Sequence, residues 1–243
     1  MMNCHIRAMQ IFILLFVMNV TVFLFGGNMK KKKIGLFLMI IGIILILIAA
    51  LLVGYNIKSD RKAEIKSEKV MEILKTEYKL PKLDEYIPVS TDPTVLPEIN
   101  EYEDLLSKNE KSENIDGNSY IGIIQIPSLE IELPVQKEWT YNGLKISPCR
   151  YSGSADENNL LIAAHNYSGH FGNINKLVSD DVIRFIDLSG DVYVYQVDEL
   201  ITIDGKNIEE MINGDWDLTL FTCTLGGQSR VTVRCSLVNK VIL

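Results

Sequence analysis

Three side chains of reactive type stand at the ends of apolar runs. Cys223 closes the β-type run LTLFTC (218–223) and passes into Thr224 and the Gly226–Gly227 turn. His165 closes LLIAAH (160–165), where the chain enters the polar stretch from Asn166 to His170. Arg230 opens RVTVRCSL (230–237), the first apolar run after the Cys223 turn. A cysteine nucleophile needs thiolate character and a base within hydrogen-bond reach. Together the set describes a cysteine enzyme, with Cys223 as candidate nucleophile, His165 as its candidate base and Arg230 as a charged neighbour. His165 and Cys223 lie 58 residues apart, a separation that two adjacent strands remove. Each residue also has a plain structural reading. Cysteine is often just a small buried hydrophobe, a histidine at a strand end is usually a polar edge residue, and an arginine opening a strand is often solvated. Two rivals share the neighbourhood. His170 lies inside the loop, and Arg234 falls on the same strand face as Arg230.

The remaining cysteines are Cys4, Cys149 and Cys235, none in a C-x-x-C pair, and with His5 and the other histidines they show no metal-ligand spacing. Four cysteines in 243 residues are too sparse for a disulfide scaffold; a Cys149–Cys235 pair is left open. No acidic cluster points to calcium, and the chemistry needs no metal or organic cofactor.

The elements that must place these groups are short and β-type. Runs at 120–126, 131–135, 160–165, 182–187, 192–197, 218–223 and 230–237 give at least seven strands between residues 118 and 243. That density predicts an all-β barrel or sandwich. Helical turns fit at 171–177 and 207–213.

Upstream the chain changes character. Residues 34–57 carry no charge, and the run IGLFLMIIGIILILIAALLV has no polar face. About 20 such residues span the hydrocarbon layer as a helix. The lysines at 30–33 precede it directly, so the positive-inside tendency puts them in the cytoplasm and residues 58–243 outside. Residues 1–28 hold a second uncharged stretch: an extra span, or a mis-assigned start before Met29, where M-K-K-K-K and an apolar run read as a complete N-terminus. Residues 58–80 carry Glu64, Glu68 and Glu72 at spacing four, with Ile65, Val70, Ile73 and Leu74 as a thin apolar stripe. This predicts a solvated spacer helix, ended by Pro81. Four of the seven prolines follow at 81–97, a semi-rigid linker. The expected plan is therefore 29–57 as anchor, 58–117 as stalk and 118–243 as the catalytic domain.

The overall charge of −7 is unevenly spread: residues 1–53 carry five basic side chains and no acid, whereas residues 118–243 carry 9 basic and 16 acidic. An acidic soluble part has no footprint for nucleic acid. The basic cluster beside the apolar run is a matter of membrane topology.

The three motifs together resemble one family. YIGIIQIPSLEIELPV resembles the opening strand pair of sortases, LLIAAHNYSGHFGNINKL their catalytic-histidine segment, and LTLFTCTLGGQSRVTVRC their signature T-L-x-T-C followed by Arg. An N-terminal anchor with a spacer is also that family's arrangement. The resemblance covers roughly residues 118–243. It implies a closed eight-stranded β-barrel and a membrane-bound cysteine transpeptidase on the outer face of a Gram-positive cell. Residue by residue it implies Cys223 as nucleophile, His165 as general acid/base and Arg230 as the arginine of the final strand. The implied partners are an LPxTG-like sorting signal and an amino acceptor, either a peptidoglycan precursor or a pilin lysine. The implied setting is the lipid bilayer.

This sequence departs from the pattern in places. Only six residues, from Thr224 to Ser229, separate Cys223 from Arg230, as expected of a class D or class B-like member. Cys149 stands where a glycine-like turn position is expected. Asp92–Pro93–Thr94 lacks the aromatic residue of the lid in pilin-polymerising sortases and reads as an ordinary turn. Two other functions remain in view: a cysteine hydrolase acting on cell-wall peptides, and a membrane-tethered β-domain that only binds a surface partner.

Overall fold

The computed structural model describes residues 29–78 and 110–242. The 1–28 segment, the Pro-rich linker at 81–97 and the Asp92–Pro93–Thr94 turn lie outside the described residues.

One helix, α1 (Met29–Tyr78), runs for 50 residues. It begins at the lysine cluster and carries the apolar run, whose side chains from Leu36 to Ile57 are exposed on most sides of the helix. It is the one helix among the described residues long and apolar enough to cross a membrane. No break separates this part from the charged part, because residues 55–78 contain neither Pro nor Gly.

The charged part is not a solvated spacer. Val70, Met71 and Leu74 are buried against Ile115, Tyr120, Ile123, Ile186, Leu188, Val192 and Val194. Of the thin stripe seen in the sequence, Val70, Ile73 and Leu74 dock on the barrel and Ile65 stays exposed, while Met71 joins them from outside the stripe; ion pairs Lys69–Asp116 (2.8 Å) and Lys75–Glu132 flank the contact.

Nine strands follow: β1 (Glu113–Ile115), β2 (Asn118–Ile126), β3 (Ile131–Gln136), β4 (Cys149–Ser152), β5 (Leu160–Ala164), β6 (Val182–Asp187), β7 (Val192–Asp204), β8 (Leu218–Cys223) and β9 (Ser229–Val241). Pairing runs β2-β3-β4-β5-β8-β9-β7-β6, and β6 returns to β2. Eight strands thus close a ring, and β1 hangs outside on β2. Closure requires Gly122, where a Cβ would lie 2.2 Å from the Ile186 carbonyl oxygen of β6. The interior is filled from seven of the eight ring strands, all but β4, with Ile124, Leu133, Ile162, Ile183, Tyr195, Leu220, Val233 and Cys235 buried.

Two local features differ from the sequence expectation, and a third agrees with it. β1 and β2 form a hairpin across Asp116 (φ 52°) and Gly117 (φ 80°), the two positive φ angles that a type I′ turn demands. The barrel domain therefore starts before Asn118. Residues 171–177 hold only a single 3₁₀ turn, at Ile174–Lys176. The helix expected at 207–213 is α2 (Ile208–Ile212), capped by the Asn207 side chain, which accepts from the Glu210 amide.

Candidate active site

β5 and β8 are parallel neighbours, with Ala164 opposite Thr222. Both strands therefore leave the barrel at the same edge, and His165 and Cys223 are each one step beyond that last pair. The Thr222 hydroxyl donates to the Ala164 carbonyl at 2.9 Å, which ties the two strand ends together. Side chains alternate along a strand. Leu218 and Leu220 point into the barrel, so Phe221 and Cys223 lie on its outer face.

β8 and β9 are antiparallel, with Cys223 opposite Arg230, and Arg230 is in turn opposite Ile203 on β7. Directly opposed residues share a face, so Arg230 joins Cys223 outside. The turn between them is tightly bonded. Thr224 N donates to the Ser229 carbonyl (3.0 Å), and Gly227 N donates to the Thr224 carbonyl (2.9 Å). Arg230 Nη1 donates to the carbonyls of Gly227 and Ser229, both at 3.0 Å. The guanidinium lies on the bare Cα of Gly205, where a Cβ would stand 2.9 Å from Nη1. Sequence reasoning missed Gly205. Its only signal was a Gly between Asp204 and Lys206 at a strand end. Two of the five guanidinium N–H groups serve the turn, leaving three for a ligand.

His165 is partly buried. Burial chiefly holds its imidazole at about 4, so the ring is neutral at physiological pH. Tyr167 lies against it with ring centroids 4.7 Å apart. The rival His170 packs behind Tyr167 at 5.4 Å and is wholly buried. Burial and the neighbouring His165 lower it also to about 4. His170 belongs to the loop's interior rather than its surface.

Arg234 is occupied elsewhere. Its guanidinium donates to the Glu210 carbonyl (2.8 Å) and to Glu199 (3.4 Å), and it lies 5.4 Å from the Trp216 ring. It fastens α2 and its following loop to β9, and on β8 it sits opposite Thr219, four residues from Cys223.

Below Cys223 the outer face is apolar. Phe221, Ala163, Ile203 and Met211 form a cluster with Leu144 and Cys149. Trp139, Tyr141, Tyr151 and Phe221 make a chain of edge-on aromatic contacts, with centroids 5.0 to 6.2 Å apart. Together they cover the outer face of β5 and β8 on this side of the barrel. Cys149 does not occupy a turn. It starts β4 opposite Ala163, and burial pushes its thiol up to about 12. Cys235 lies in the barrel interior, and burial raises its thiol too. Neither forms a disulfide. Among the described residues no group of three or more His, Cys, Asp or Glu side chains could hold a metal ion.

Residues 124–238 match the Sortase domain family. The barrel domain belongs to the sortase family. Sortases are cysteine transpeptidases, and the chain is an enzyme of that kind. Among solved structures it is similar to sortase A of Listeria monocytogenes, at 26% identity over 51% of this chain and 90% of that one, with a TM-score of 0.48. Sortase C1 from Streptococcus agalactiae is 27% identical over 51% and 70% of the two chains, with a TM-score of 0.45. Clostridium perfringens sortase C, solved with the C-terminal cell wall sorting motif, is 25% identical over 54% and 74%, with a TM-score of 0.45. Comparison with curated proteins gave no match.

Proposed function

We propose that this sortase cleaves an LPxTG-like sorting signal through a thioester on Cys223 and passes the acyl group to an amine of the cell wall or a pilin. The observation that carries the reading is the strand register. It sets Cys223 beside the end of β5 and opposite Arg230, all on one outer edge.

The chemistry follows from the charges. His165 is neutral in the resting site, so it can accept the Cys223 thiol proton as sulfur attacks the scissile carbonyl. Arg230 donates to the oxygen of the tetrahedral intermediate from a guanidinium already fixed by the turn and by Gly205. Collapse breaks the C–N bond, and the new imidazolium gives its proton to the departing amine. An incoming amine then attacks the thioester, His165 takes its proton, and the thiol is restored. The catalytic face lies outside the cell, on the side opposite the lysines at 30–33.

The test is direct. Cys223→Ala abolishes the acyl-enzyme detected by mass spectrometry with an LPxTG-type peptide, whereas Cys149→Ala and Cys235→Ala retain it. Acyl-enzyme surviving in Cys223→Ala would overturn the assignment.

A further inference from the structure

A base that moves protons needs a third group to aim it. Among the described residues no hydrogen bond reaches the imidazole of His165. Its ring is met instead by Tyr167, with centroids 4.7 Å apart and planes inclined at 31°. Tyr167 is itself held at its ring, its hydroxyl and its backbone. The ring also touches the buried His170, at 5.4 Å. The hydroxyl lies 3.2 Å from the Ser59 hydroxyl of α1. The carbonyl accepts from the amides of His170 (3.0 Å) and Gly172 (2.9 Å), while Phe171 N donates to the His165 carbonyl at 3.2 Å. A Cβ at position 172 would stand 2.5 Å from the Tyr167 carbonyl oxygen, so glycine lets the loop close this tightly. Phe171 and Ile174, both wholly buried, then fix the loop to the barrel interior. Tyr167 is 3% exposed, although Ser168 and Gly169 directly after it face solvent.

We propose that Tyr167 is the positioning residue of the catalytic histidine: its clamped ring fixes the plane of the His165 imidazole and screens it from water, and Ser59 holds that ring in place. The proposal deepens the sortase reading and rests on it for the catalytic step. A stacked ring restrains the imidazole torsions, the work that a carboxylate does by hydrogen bonding in a catalytic triad. Tyr167 aims and shields, and takes no proton itself. The same screen supplies burial of the kind that keeps His165 neutral. The titratable and charged groups around the imidazole are Tyr167 and His170 of its own loop, Lys145 of the 3₁₀ turn Gly143–Lys145, Cys223 at the end of β8 and, beyond Gly169, Glu64 of α1.

Nuclear magnetic resonance of the full-length protein in detergent micelles, isotope-labelled at histidine Cε1, tests the aim without any substrate. His165→Gln identifies the resonance. In the parent the Tyr167 ring face shifts the His165 Cε1–H signal upfield, and the imidazole titrates at about 4. Tyr167→Phe keeps the stack and both signatures. Tyr167→Ala loses the upfield shift, and the titration rises toward the ordinary value of about 6.5. Cleavage of an LPxTG-type peptide supplies the second readout. Tyr167→Ala lowers kcat by about tenfold to a hundredfold with KM within about twofold, because a displaced base slows the chemistry and leaves binding alone. Tyr167→Phe recovers all but about fivefold, the worth of one lost hydroxyl bond. Ser59→Ala matches Tyr167→Phe, and the double variant is no slower than either, since both remove the same bond. A parent His165 that is unshifted and titrates normally overturns the proposal. So does a Tyr167→Ala protein whose His165 titrates as before, or a loss of kcat that Phe does not recover. Should Tyr167→Ala not fold, the parent spectrum and the Ser59–Tyr167 cycle decide in its place, and additive losses in that cycle overturn the proposal. If the parent leaves the peptide uncut, the sortase reading fails, and the spectra still decide the role of Tyr167.

Discussion

Arg230 and Arg234 sit four residues apart on one strand face, yet the structure gives them different work, and exchanging the expected penalties would expose an error. Arg230 is opposite Cys223, and two bonds from one nitrogen hold it to the turn. Removing a preorganised oxyanion donor costs about 3–4 kcal/mol, or about 10²–10³ in kcat. Arg230→Ala should therefore lose about that factor in single-turnover acylation of a fluorogenic sorting peptide. Its stability should fall by only about 1 kcal/mol for the two turn bonds. Arg230→Lys keeps the charge but not the fork, and should lie between. Arg234→Ala removes a 2.8 Å bond to the Glu210 carbonyl and the stack on Trp216. It should cost about 2 kcal/mol of stability, a drop of roughly 5–10 °C in Tm, while acylation slows less than about tenfold. Thermal denaturation followed by circular dichroism, run beside the acylation assay, separates the two. An Arg234→Ala protein that is inactive but fully stable, beside an active Arg230→Ala, would refute the assignment of roles.

Three further outcomes are expected. Leu74→Ala removes a wholly buried side chain from the α1 docking stripe and should cost about 2–5 kcal/mol in chemical denaturation; a solvated spacer helix would show no loss. A thiol reagent at pH 7 should modify Cys223 well before Cys149, which is buried with its thiol pushed up to about 12, and peptide mapping that finds Cys149 labelled first would contradict the buried β4 position. Acid should destabilise the domain between about pH 6.5 and 4. Burial holds His170 at about 4 in the fold against about 6.5 unfolded. Its contribution is therefore complete above pH 6.5 and is lost on acidification, as the unfolded chain takes up the proton first. Asp187, raised to about 6 chiefly by burial, works the other way in the same window. His170→Gln should flatten the stability slope by about 1.4 kcal/mol per pH unit, and an unchanged slope would mean that His170 is not buried neutral.

Much of this was legible in the residues. Short β-branched runs broken by Pro and Gly require a closed or layered β structure, because period-two patterns bury only one face. Cys223 and His165 were legible as strand-end residues, since the polar or glycine-rich segments after them mark where each strand stops. The long apolar helix was legible because an uncharged run of about 20 residues matches the thickness of a hydrocarbon layer.

Other features belong to the tertiary structure alone, for one reason: they are pairings between segments far apart in the chain, and pattern within a segment does not encode its partner. The parallel match of β5 with β8 brings 165 to 223, and the β9 register separates Arg230 from Arg234, which strand alternation alone leaves equivalent. Cys149 stands where the resemblance implies a glycine-like turn position; only pairing with Ala163 makes it a strand. Ile65, Val70, Ile73 and Leu74 made too thin a stripe to declare any of them buried. It took the barrel wall of Tyr120, Ile123 and Val194 to cover Val70 and Leu74, and that contact makes the end of the helix part of the barrel's packing.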